Sequence, residues 1–79
     1  SKSQLELNKA NRQLADAENK VNLEKLALEQ SQEAYRIRSN RFEQGLEKTS
    51  DLLLSETQMY QKELEFLQAV FEYNYTQQY

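Results

Sequence analysis

Between Arg41 and Leu54 the chain reads RFEQGLEKTSDLLL, and the arrangement of everything else depends on this stretch. It holds the one glycine, Gly45, of a sequence that has no proline. Gly45 is therefore the natural place for a helix to stop, because a helix C-cap often needs a left-handed residue and glycine adopts that conformation without strain. Restart signals follow at once. Thr49 or Ser50 can accept a hydrogen bond from a free amide of a second helix, and Asp51 places negative charge at its positive end. A connection of about four or five residues makes the two helices antiparallel neighbours.

Towards the N-terminus, an apolar residue recurs every seven positions: Leu7, Leu14, Val21, Leu28, Tyr35, Phe42. A seven-residue repeat nearly closes two helical turns, so these residues form one seam along a helix. The companion positions Ala10, Ala17, Glu24, Ser31 and Arg38 begin small and become polar, which makes the seam narrow. Other apolar residues, Leu5, Leu23, Leu26, Ala27, Ala34 and Ile37, lie off it and widen the surface. The spacing predicts a helix over about 3–43, roughly 60 Å long at 1.5 Å per residue.

Towards the C-terminus, two adjacent sevenfold stripes run side by side. One is Leu53, Tyr60, Leu67 and Asn74, supported by Leu64 and Phe71; the other is Leu52, Met59, Phe66 and Tyr73. Together they predict a helix over about 50–77 with a broad apolar face, thickening in aromatic residues as far as Tyr75 and Tyr79. If the turn centres near residue 47 or 48, seam partners carry numbers adding to about 95. That pairs Phe42 with Leu53, Tyr35 with Tyr60, and Leu28 with Leu67, so these residues are the expected inter-helix packing. The stripe of Leu52, Met59, Phe66 and Tyr73 is then expected to stay exposed and to drive self-association, most simply into a two-fold four-helix bundle. Roughly the first fifteen residues would overhang the end of the second helix.

Composition bounds the function. At 79 residues the chain is one small domain whose single core supplies little net stability. A net charge of −3 with both signs interspersed is no footprint for nucleic acid. The mean hydropathy is −0.98, and no apolar run approaches the roughly 18 residues that span a bilayer. The sequence has no cysteine and no histidine, which removes thiol chemistry, imidazole metal sites and the usual nucleophile–base pairs. Carboxylates are plentiful, but on long helices they read as a solvated face. Di-metal sites in helical bundles normally include a Glu-x-x-His pair, which cannot be built here. No enzyme activity, metal or cofactor is expected. Arg36, Arg38 and Arg41 form a basic cluster that complements the negative end of the first helix. The seam tyrosines are expected to bury the ring and leave the hydroxyl at the edge.

The order of features around the turn resembles the repeat of TolC-like outer-membrane efflux proteins. In that family an Ala–Tyr helix ends in an Arg-[Tyr/Phe]-x-x-Gly turn, matched here by Ala34, Tyr35, Arg41, Phe42 and Gly45. A Ser/Thr-x-x-Asp-Leu-Leu-like restart follows, matched by Ser50, Asp51, Leu52 and Leu53. The returning helix ends in a Tyr-Asn-Tyr-like segment, matched by Ala69, Tyr73, Asn74 and Tyr75. The resemblance covers residues 34–79 well and Gln4 to Gln32 only as generic helix. It implies a trimeric parent with a membrane β-barrel, absent from this sequence, and a long α-helical tunnel across the periplasm. It also implies that hairpin tips form the closable entrance and meet the hairpin of a periplasmic adaptor (membrane fusion) protein. Carried over by position, Gln44, Gly45 and Leu46 fall at the tip that would bind the adaptor. Asp51 falls at the entrance, where the family often has an acidic residue. Two departures stand out: Glu47 and Lys48 occupy positions where some members carry a latching arginine, and Leu54 stands where a second acid can occur.

The expectation is thus an all-α protein, a long antiparallel helical hairpin occupying residues 1–79. It reads as an excised piece of a periplasmic α-barrel, an idea encouraged by the lack of an initiator methionine. Its expected work is in tripartite efflux or type I secretion, with an adaptor as partner and self-association as a trimer in the parent or a dimer for the piece. The alternative is a stand-alone structural coiled-coil oligomerisation module, which needs only the heptads.

Overall fold

The computed structural model describes residues 2–77; Tyr79, the last of the C-terminal aromatic series, lies outside the described residues. The chain is a hairpin of two helices, α1 (Lys2–Glu43) and α2 (Thr49–Gln77). These bounds match those expected from Gly45 and Asp51 to within one residue. At 1.5 Å per residue, α1 alone is roughly 63 Å long, and the molecule measures 65 × 14 × 14 Å. α1 therefore sets the length, and α2, about two thirds as long, lies along its C-terminal part. Residues 2–13 of α1 are all exposed, with Leu5 and Leu7 keeping most of their surface in solvent, as the overhang requires.

The seam on α1 is the expected one. Leu14, Ala17, Val21, Glu24, Leu28, Ser31 and Tyr35 are part-buried and alternate by three and four as a helix facing one partner must, with Ala27 part-buried beside Leu28. On α2 the expectation fails. The positions turned inward are Leu52, Ser55, Met59, Lys62, Phe66, Ala69 and Tyr73, flanked by the part-buried Asp51, Glu56, Glu65, Val70 and Thr76. Leu53, Tyr60 and Leu67 are 56%, 57% and 47% exposed and stand on the outside. Phe42 is exposed too, and the seam of α1 ends instead near Ser39, which is part-buried. α2 is rotated by about one residue from the expected orientation, so the stripe read as exposed is the one that packs.

The reason is size. Two cross-helix bonds, Tyr35 to Glu56 and Lys20 to Glu72, join residues whose numbers add to 91 and 92 rather than about 95. In that register Tyr35 lies across from Ser55, Met59 from Ser31, Val21 from Ala69 and Tyr73 from Ala17. These four layers set a large side chain against a small one, which lets the helices approach closely there. The two layers between Val21 and Ser31 pair Glu24 with Phe66 and Leu28 with Lys62. The expected register would have put Tyr35 against Tyr60 and Leu28 against Leu67, filling layers with two large groups and prising the helices apart. The two fully packed residues are accordingly the small ones: Ala69 is 0% exposed and Ser55 4%. The seam serines need no cross-helix partner, since Ser55 Oγ donates to Leu52 O (2.9 Å) and Ser31 Oγ to Leu28 O (2.8 Å). Lys62 keeps its stem along the seam while its ammonium pairs with Glu65 at 3.1 Å.

Candidate docking surface at the helix turn

Backbone bonds close the end of α1. Gly45 has φ +75°, the left-handed conformation expected of a C-cap glycine. Its N–H donates to Phe42 O (2.9 Å), and the N–H of Leu46 donates to Arg41 O (2.9 Å). This pair of bonds is the Schellman motif, which satisfies carbonyls that the end of α1 would otherwise leave free. A Cβ at Gly45 would meet nothing within 4 Å, so the position demands glycine for its backbone angle and not for lack of room. α2 then starts one residue earlier than a Thr49 or Ser50 cap would allow. Lys48 O accepts the first helical bond, from Leu52 N at 3.1 Å, which makes Lys48 the N-cap residue. Asp51, part-buried in the first turn, supplies the negative charge that the helix end favours.

Glu47 holds this turn together. Its side chain is only 10% exposed, and it accepts bonds from two arginines of α1: Arg38 Nη1 on Oε1 and Arg41 Nε on Oε2, each at 2.9 Å. Arg41 Nη2 also donates to Leu46 O at 3.4 Å. One carboxylate thus ties the loop back onto two successive turns of α1, a charge-assisted arrangement stronger than neutral hydrogen bonds. The basic cluster does not act as one. Arg36 pairs with Glu33 within α1 through Nε (3.0 Å) and Nη2, which holds the Glu33 carboxyl below its usual range and raises the Arg36 guanidinium. Ion pairing across the turn, rather than the end of the helix alone, explains Arg38 and Arg41.

One layer further in, Tyr35 Oη donates to Glu56 Oε2 at 3.1 Å. The carboxylate accepting that bond pushes the Tyr35 phenol above its ordinary value, and the negative charge of Glu56 adds to the effect. Tyr60, expected to stack in the same layer, lies outside it.

Of the tip residues picked from sequence, Gln44, Gly45 and Leu46 are all exposed at the end of the hairpin, with Leu46 60% exposed. Together they form a blunt knob: a large apolar side chain on a backbone fixed by the Schellman bonds and the Glu47 clamp. Asp51 sits on the α2 side of the same end. Beside it, Ala34, Ile37, Arg38, Arg41 and Glu47 line a shallow groove. In the sequence, Glu47 stands out only as a departure from the family pattern. Its signal was an acid six and nine residues after two arginines, across a glycine turn.

Elsewhere the seam holds one irregularity, Glu24, whose Oε2 is shielded and has no hydrogen-bond partner. Among the described residues no three or more His, Cys, Asp or Glu side chains gather where they could hold a metal ion. No helix among them is long and apolar enough to cross a membrane. No family model, curated protein or solved structure matches this chain.

Proposed function

We propose that the protein is a periplasmic tunnel hairpin of the TolC-like outer-membrane efflux type, docking to a periplasmic adaptor protein through the tip at Gln44, Gly45 and Leu46. The observation that carries this reading is the pre-formed tip, an exposed leucine on a rigid turn. It stands in a sequence whose Ala–Tyr, Arg-Phe-x-x-Gly and Asp-Leu-Leu features follow the family's order. A rigid apolar knob loses little conformational freedom on docking, so most of its buried area contributes to affinity. The open outer faces add support. Leu23, Leu26 and Ile37 on α1 and Leu53, Tyr60 and Leu67 on α2 are exposed, and neighbouring hairpins of a tunnel would cover such surfaces. In this reading the chain works in efflux or type I secretion by binding and gating, without catalysis, as part of a trimer. Asp51 lies at the entrance.

Titration of the hairpin against an adaptor hairpin, with Gly45→Val and Leu46→Ser as variants, tests the proposal. Each variant is expected to weaken binding tenfold or more, about 1.4 kcal/mol. Unchanged binding in both would remove the tip from the interface.

The exposed outer stripe of α2 also favours a second reading, a structural coiled-coil oligomerisation module. The full-length reading frame separates the two. Flanking outer-membrane β-strand patterns support the channel, and a flanking cytoplasmic domain supports the module.

A further inference from the structure

The Arg38–Glu47–Arg41 clamp uses only part of what it holds. Two guanidiniums share one carboxylate, which leaves an excess of one positive charge. Gln30, Ala27 and Leu23, which continue the same face of α1, supply no acid, and Glu33 is taken by Arg36. The Glu47 carboxylate is nearly enclosed, while both arginines are about half exposed. Solvent therefore meets the donors rather than the acid. A guanidinium carries five N–H donors in a fixed fork; among the described residues, Arg38 Nε and Nη2 and Arg41 Nη1 have no acceptor. These donors also stand beside the tip. Arg41 Nη2 lies 3.4 Å from Leu46 O, so whatever covers the Leu46 side chain comes within reach of Arg41. Ile37, which shares the groove, belongs to the surface that neighbouring hairpins would cover, whereas Arg41 lies one helical turn, roughly 6 Å, nearer the tip.

We propose that Arg38 and Arg41 recognise a carboxylate on the docking partner, set beside the apolar contact that takes Leu46. On the docking reading above, on which this rests, the adaptor hairpin carries an Asp or Glu at the rim of that contact. Its carboxylate takes the free donors while Glu47 keeps its own bonds, so each guanidinium has an acid. Because Glu47 already holds both arginines in place, little side-chain freedom is lost on binding. A charge at the rim of an interface chiefly sets specificity and salt dependence, whereas Leu46 supplies buried apolar area.

Calorimetric titration of the full chain against a periplasmic adaptor hairpin tests the proposal, with each Asp and Glu around the adaptor's turn changed singly to Asn or Gln. Arg41→Gln is expected to weaken binding about fivefold or more, and one adaptor variant to weaken it by the same factor. The two combined should lose no more than either alone, since both remove one contact. Rising salt should weaken the wild type more than Arg41→Gln. A loop merely loosened by Arg41→Gln would lower affinity alike for every adaptor variant and leave the losses additive, which would overturn the proposal. So would unchanged binding of Arg38→Gln and Arg41→Gln while Leu46→Ser loses it, an outcome that leaves the tip as the docking surface. Losses in the arginine variants with Leu46→Ser and Gly45→Val unchanged would do the reverse, keeping the carboxylate and removing the tip. A wild type that binds no adaptor hairpin overturns both.

Discussion

The two ends of the hairpin are held in different ways. At the tip the helices are joined by directional bonds: the Schellman pair at Gly45 and Leu46, the Arg38–Glu47–Arg41 clamp, and Tyr35 on Glu56. Towards the open end, Lys20 pairs with Glu72 at 3.0 Å in an exposed position. There the helices are aligned by shape, with Val21 across from Ala69 and Tyr73 across from Ala17. Beyond that, α1 runs on alone. Directional bonds fix where the chain turns and how α2 is rotated, whereas size matching carries that rotation down the seam. The end with the more rigid backbone is also the end that presents an exposed leucine, which suits it to recognition.

Breaking the size matching should have the largest effect. Ala69→Leu puts a large side chain into a layer already filled by Val21 and is expected to cost about 1–3 kcal/mol, read from thermal or urea melts. Next comes the clamp. Glu47→Ala leaves Arg38 and Arg41 without their shared carboxylate and is expected to cost about 1 kcal/mol, the arginines being half exposed and screened by solvent. Because the clamp holds the loop rather than the seam, this variant should raise amide exchange at residues 44–48 and leave that of the seam layers unchanged.

Tyr35→Phe should cost less, and its effect depends on pH. The folded-state pKa of Tyr35 is raised above the ordinary value of 10.0 by Glu56. The bond therefore contributes stability below about pH 10 and loses it as pH rises through the raised folded value. The gap in melting temperature between wild type and Tyr35→Phe should close above that pH. A gap that widened with pH would mean that the phenol is not the donor. The smallest effect is expected of Lys20→Ala, within about 0.5 kcal/mol for so exposed a pair; a loss as large as that of Glu47→Ala would erase the distinction between the two ends.

Much of this was legible in the residues. One glycine in a prolineless chain marks the reversal, and the heptads from Leu14 to Tyr35 name the seam of α1, although Leu7 and Phe42 at either end of the same repeat lie outside it. α2 was harder. Leu52 and Leu53 head two apolar stripes one residue apart, and hydrophobicity alone cannot choose between them. What decides is the companion three or four positions on: Ser55 and Ala69 accompany the inner stripe and admit Tyr35 and Val21, while Leu64 and Phe71 accompany the outer one and fill their own layers. Counting apolar residues favours the outer stripe, and counting volumes favours the inner. Glu47 escaped for a different reason. Its partners lie six and nine residues back across a turn, where no helical period points.

The claim that the tip recognises a partner and the open end does not can be tested with two matched leucines. Leu46 at the tip and Leu7 on the overhang are each 60% exposed. Leu46→Ser and Leu7→Ser remove the same apolar surface from opposite ends of the molecule. Titrated calorimetrically against an adaptor hairpin, Leu46→Ser should weaken binding at least tenfold and Leu7→Ser should leave it within twofold of wild type. Equal losses, or a loss confined to Leu7→Ser, would contradict the account.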